Sequence, residues 1–86
     1  MSDLMVFPLS NTLPGETVSV VCLANEGLMA ARLFDLGFVP RSVISCVLKK
    51  KNIAAYLVRS SVIAIREEDS RLIMVKKADD DREVVR

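Results

Sequence analysis

The chain is 86 residues long, carries a formal net charge of +1 and is 51% apolar. That length leaves room for a single domain, residues 1–86, and the near-neutral charge supplies no whole-chain field for a nucleic acid or a membrane surface. Histidine is absent, which removes the commonest metal ligand and the commonest general base together.

The apolar residues are mostly Val, Ile and Leu, with only 5% aromatics, a composition that favours a packed domain over a disordered segment. No apolar run approaches the roughly 18 residues needed to cross a bilayer. The opening MSDLMVFPLS has no basic n-region and no cleavage site of the secretory type, so a soluble cytosolic protein is expected.

In chain order, Leu9 to Leu13 suits one turn of helix and runs into Pro14-Gly15, a strong turn signal that makes Gly15 a structural residue. Thr17 to Leu23 reads as the first strand, with Val18, Val20 and Cys22 sharing one face by period two. Asn25 is the expected N-cap of the helix that follows. Within Leu28 to Arg41, the residues Met29, Leu33 and Leu36 recur at i, i+4 and i+7 and so define the buried helical face. Gly37 stands where a helix ends on a left-handed residue, Phe38 can fold back onto Leu33 or Phe34, and Pro40 forbids resumption.

Val43 to Leu48, Ile53 to Arg59, Val62 to Arg66 and Leu72 to Lys76 read as four further strands. The joins are Lys49 to Asn52, Ser60-Ser61 and a single turn over Glu67 to Arg71. Five short strands at this spacing predict a mainly β, partly open barrel with one short helix between the first and second strands. The core is expected over about residues 9–76, with a frayed tail over 77–86.

Chemistry is scarce. Glu67, Glu68 and Asp69 are consecutive and solvated, so they do not make a spaced acid–base pair. Three isolated glycines form no phosphate loop, and the serines have no histidine to activate them. An enzyme is not expected, and neither is a cofactor. Cys22 and Cys46 fall in strands and read as small buried hydrophobes. As metal ligands they are weak candidates, leaving a tetrahedral site half built, so direct binding of Fe²⁺ or another divalent ion is expected to be weak at most. Lys49-Lys50-Lys51 is a basic hairpin tip without an aromatic platform, which argues against nucleic acid. Protein binding is left. The candidate contacts are Arg32, Phe34, Phe38, Val39 and Arg41 around the helix stop, with Phe34 read as core ahead of docking surface and Gly37 and Pro40 structural. An unpaired edge strand also leaves self-association open.

Three segments carry a family resemblance. Leu13-Pro14-Gly15-Glu16 opens the first strand, Arg32-Leu33-x-Asp35-Leu36-Gly37-Phe38-x-Pro40 ends the helix, and Val62-Ile63-Ala64-Ile65-Arg66-x-Glu68-Asp69 precedes Ile73-x-Val75. In this order and spacing, from about Leu9 to Val75, they resemble the FeoA family, small SH3-like barrels of bacterial ferrous-iron transport. Two positions depart from it: Arg41 replaces a usual glycine after the proline, and Ser60-Ser61 replace a turn that commonly contains glycine. The resemblance implies a cytosolic accessory protein that contacts FeoB, the membrane iron permease carrying a GTPase domain, without inserting into the membrane itself. The alternative it suggests is a metal- or peptide-sensing domain like the C-terminal barrel of iron-dependent transcriptional repressors.

Overall fold

A computed structural model describes residues 5–78. The elements run β1 (Phe7–Pro8), β2 (Thr17–Leu23), α1 (Gly27–Leu36), β3 (Val43–Lys49), β4 (Ile53–Val58), β5 (Ser61–Arg66), α2 (Glu67–Ser70) and β6 (Ile73–Lys77), with a 3₁₀ turn at Leu9–Asn11. The strands form one antiparallel sheet in the order β1-β6-β2-β3-β4-β5, open at β1 and β5. The mainly β architecture and the helix between the first two long strands are as expected. The strand count is six rather than five, because a two-residue strand ending in Pro8 carries no readable alternation.

Every long strand sends side chains into one cluster. Val18, Val20, Ile44, Cys46, Tyr56, Val58, Ile65, Ile73 and Val75 are buried together with Leu9, Leu33 and Phe38. A sheet can bury one face against itself in this way only by curling, and two bulges supply the bend. In β2 the register passes from Val20↔Val75 to Cys22↔Met74, leaving Val21 as the extra residue. In β3 it passes from Cys46↔Tyr56 to Leu48↔Ala55, leaving Val47.

Each bulge reverses which side chains face inward. Beyond Val21, Leu23 turns to the core opposite Ile73, and Cys22 is exposed instead of sharing the buried face of Val18 and Val20. Beyond Val47, Leu48 is exposed, and Lys49 belongs to β3 opposite the buried Ala54 rather than to a solvated turn. Its ammonium donates to the carbonyls of Ser10 at 2.7 Å and Thr12 at 3.4 Å, which fastens the 3₁₀ turn to the sheet.

The helix keeps part of its expected face. Leu33 is buried and Met29 packs on the core, but Leu36 is 39% exposed, because the chain has already begun to leave the helix there. The N-cap is Glu26, without a side-chain capping bond. Asn25 is instead drawn into a tertiary contact, donating Nδ2–H to the carbonyl of Asp69 at 3.0 Å. The stop at Gly37 (φ 111°) is as expected: Phe38 N–H donates to Leu33 O at 3.0 Å, and the Phe38 ring is wholly buried.

The last hairpin turns one residue earlier than expected, on Arg59 (φ 51°) and Ser60 (φ 69°), with Ser61 already paired to Val58. Positive φ at both central residues is the type I′ arrangement that usually takes Asn-Gly. Lys77 belongs to β6 and Ala78 is buried, so the described part of the expected tail is ordered; residues 79–86 lie outside the described residues.

Two glycine substitutions separate conformational strain from space. Gly15 (φ 94°) ends a Pro-Gly turn closed by Glu16 N–H to Leu13 O at 3.0 Å, and a Cβ there meets nothing within 4 Å. On Gly37 a Cβ would stand 2.9 Å from Val58 Cγ1 and 3.1 Å from Arg59 Cδ. Gly15→Ala should therefore cost about 1 kcal/mol for the left-handed backbone alone. Gly37→Ala should cost about 2–4 kcal/mol, since overpacking against Val58 adds to the same strain. Denaturant melts of the two variants check the difference, and equal losses would refute the close approach.

Burial also fixes a pH response. It pushes the Tyr56 phenol above its ordinary 10.0 and the Cys46 thiol above 9.0, in both cases by penalising the charged form. Both groups release their protons more readily in the unfolded chain. Their contribution to stability is thus intact below pH 9.0 and falls as pH climbs past the two ordinary values. Thermal melts across the alkaline range should show this fall, and it should be shallower in Tyr56→Phe.

Candidate functional site

The stop of α1 leaves an apolar groove between that helix and the outer side of β2. It encloses about 520 Å³ and is lined by Cys22, Leu23, Asn25, Ala30, Ala31, Phe34, Asp35 and Pro40. Phe34 is 54% exposed, so it belongs to the groove and not to the core where the sequence had placed it first. The position follows from helical geometry, since Leu33 takes the inward direction and its neighbour must point about 100° away.

Within this groove one polar atom is unspent. Asn25 is buried, its Nδ2 serves Asp69, and its Oδ1 has no hydrogen-bond partner. A buried acceptor left alone costs about 1–3 kcal/mol. An N–H brought in by an apolar segment would recover that cost. Asp35 adds a carboxylate to the same wall.

The other candidate residues divide. Arg32 and Arg41 are exposed, Val39 is half-buried, and Phe38 is fully buried, supporting the surface from beneath instead of presenting a contact. Arg41 stands at φ 78°, a left-handed conformation that its β-carbon disfavours. Its backbone is held there by the sheet: Arg41 N–H donates to Val20 O at 2.8 Å, and Val20 N–H donates to Ser42 O at 2.9 Å. A strained residue fixed by its surroundings at the rim of a groove fits the pattern of functional sites.

Cys22 and Cys46 do not meet. The Cys46 N–H bonds Glu16 O, level with the start of β2, whereas Cys22 lies at that strand's far end, roughly 20 Å away at the usual rise per residue. Among the described residues no three Cys, Asp or Glu side chains cluster as metal ligands would. Among the described residues no helix is long and apolar enough to cross a membrane.

With this geometry in place, comparison with known proteins is informative. The model of the FeoA domain matches residues 7–77. The chain belongs to the FeoA family. Its fold is similar to a crystal structure of the iron uptake regulatory protein FeoA, with TM-score 0.79 and 25% identity over 86% of this chain and 100% of that one. It is also similar to the iron(II) transport protein A of Clostridium thermocellum, with TM-score 0.77 and 25% identity over 83% of this chain and 45% of that one. The fold alone is shared with T. acidophilum IdeR, at TM-score 0.77 and 21% identity over 87% of this chain and 35% of that one. No curated relative matches the sequence. The SH3-like architecture expected from the motifs is thereby established, and with it a place among proteins of iron uptake.

Sequence reasoning missed Asn25, Cys22, Leu23 and Pro40 as groove residues. Only the bulge at Val21 brings Cys22 to the surface, and a single extra residue in a β-branched run leaves no compositional mark. Family and geometry meet at Arg41, where this chain departs from the usual glycine. Arg41→Gly should raise stability by about 0.5–1 kcal/mol, relief of left-handed strain outweighing the added freedom of the unfolded chain. Chemical denaturation checks this, and a destabilised variant would show that the guanidinium side chain outweighs the strain.

Proposed function

We propose that this member of the FeoA family is an accessory protein of ferrous-iron uptake that contacts the cytosolic part of a FeoB-type GTPase permease through the α1–β2 groove. The observation that carries the reading is the exposed Phe34 in an apolar groove whose one buried acceptor, Asn25 Oδ1, has no partner. Such a surface suits an extended or helical segment that buries an apolar side chain against Phe34 and Pro40 and donates an N–H to Asn25. Arg32 and Arg41, both exposed, would set orientation and on-rate more than affinity.

Pull-down of the permease's cytosolic region tests it. Phe34→Ala should weaken capture roughly tenfold or more, the scale of an aromatic anchor, and Arg41→Glu should slow association in a salt-dependent way. Absence of capture by the unaltered protein in every nucleotide state would overturn the reading.

A second reading has one specific observation behind it, the shared fold with IdeR and with a manganese-dependent transcriptional repressor. On that reading the chain senses a metal or a peptide. Calorimetric titration with Fe²⁺ and Mn²⁺ separates the two: stoichiometric binding abolished by Cys22→Ser or Cys46→Ser would favour it. The separation of the two thiols along β2 weighs against it.

A further inference from the structure

A second concavity lies at the other end of the sheet, where β3 gives way to β4 and both meet α2 and the 3₁₀ turn. It encloses about 230 Å³ among Ser10, Asn11, Lys49, Lys50, Lys51, Ile53, Ala54, Tyr56, Glu67 and Ser70. Nothing in the proposed permease contact uses it.

Its donors are not spent. Tyr56 is wholly buried, and its hydroxyl has no hydrogen-bond partner. The neighbouring Ser70 hydroxyl donates instead to the Glu67 carbonyl, at 3.5 Å. Burial is the largest influence and raises the phenol's pKa, while the adjacent Ser70 hydroxyl, near enough to favour the phenolate but not hydrogen-bonded to it, lowers it. The phenol therefore keeps its proton at neutral pH and can donate to an acceptor. Lys49 is pinned by the carbonyls of Ser10 and Thr12, which uses two of its three N–H donors and leaves the third. Lys50 and Lys51 are exposed on the same wall, and Glu67 is the one carboxylate in the lining.

We propose that this cavity binds a tetrahedral oxyanion of the phosphate class, held by the Tyr56 hydroxyl and the Lys49, Lys50 and Lys51 ammonium groups. The choice of anion follows from the donors. Planar carboxylates are read best by the two-pronged guanidinium, whereas lysines act as point charges and suit phosphate. No arginine lines the cavity. Size agrees: 230 Å³ equals the liquid volume of about seven or eight waters, enough for a phosphoryl group and below the usual 300 Å³ or more of an organic ligand pocket. The anion also removes a cost already present, because an unpaired phenol in a buried position is destabilising until it is satisfied.

The chain carries its own reporter. Tyr56 is the only tyrosine and there is no tryptophan, so near-ultraviolet difference absorption reads this one site. Inorganic phosphate should shift the Tyr56 band saturably in the millimolar range, at ionic strength held fixed with potassium chloride to cancel general screening. Lys50→Glu and Lys51→Glu should each weaken that binding by about tenfold or more. Acetate at equal charge should give no saturable shift. Pyrophosphate separates the two sources of the chemistry: tighter binding than phosphate points to a nucleotide-type phosphoanhydride, and equal or weaker binding points to the free ion.

Tyr56→Phe supplies an independent readout. In phosphate-free buffer its melting temperature should equal or exceed that of the unaltered chain, and the rise that phosphate gives the unaltered chain should be lost. The proposal is overturned if phosphate leaves the Tyr56 band unchanged, if acetate shifts it equally, or if Tyr56→Phe keeps the full phosphate-induced rise. The permease contact would stand under any of those results, since it rests on Phe34, Asn25 and Pro40, none of which lines this cavity.

Discussion

Two single-residue bulges, at Val21 and Val47, are the constraint on which the rest of this molecule depends. An ordinary strand keeps one face inward along its whole length, and six such strands would twist without the sharper local bend that a bulge adds. Inserting one residue shifts the phase of everything beyond it and increases the local twist. In β2 that shift sends Leu23 to the core and Cys22 outward; in β3 it leaves Leu48 exposed and sets Lys49 opposite Ala54. The sheet curls enough for a thirteen-residue buried cluster to close on itself around Tyr56, Phe38 and Leu9. Both concave sites lie just past a bulge. The groove uses the exposed Cys22, and the cavity uses Lys49.

This phase shift also explains what the sequence could and could not reveal. The Gly37 stop, the Pro14-Gly15 turn and the order of the long strands were legible because each rests on a local rule: left-handed backbone, fixed proline φ, β-branched runs bounded by turn residues. The helix face was legible at Leu33 and failed at Leu36, where the chain was already departing. Period-two counting failed at Cys22, since it assumes an unbroken ladder, and Lys49, read as part of a turn, is the last residue of β3. Asn25 has the chemistry of an N-cap but stands one residue before the cap, Glu26, and its amide nitrogen donates to the Asp69 carbonyl. Propensity describes a residue's options; packing chooses among them.

Left-handed backbone at residues other than glycine marks two of the turns. Arg41, Arg59 and Ser60 all carry positive φ. At all three the backbone takes a conformation that glycine adopts most easily. Such positions persist only where surrounding hydrogen bonds fix the backbone. Arg41 is held in that way by Val20, and the Arg59–Ser60 turn is held by the Val58↔Ser61 pair. Strain at Arg41 is accompanied by an exposed cation next to Pro40 of the groove.

One short element stands between the two sites. The single turn α2 offers its Asp69 carbonyl to Asn25, which lines the groove, while its Glu67 and Ser70 line the cavity. Asn25 therefore has its amide nitrogen committed to α2, while its buried amide oxygen has no hydrogen-bond partner. A net contribution of about 1 kcal/mol is the usual scale of such a buried bond. That is small against the whole fold but comparable to the difference between a well-placed and a misplaced acceptor. The position of Asn25 Oδ1 depends on α2, and α2 in turn rests on the Asn52 carbonyl, which accepts the Glu67 N–H at 2.9 Å beside the lysine-bearing turn. The geometry of the groove is thus built on the same short stretch of backbone that walls the cavity.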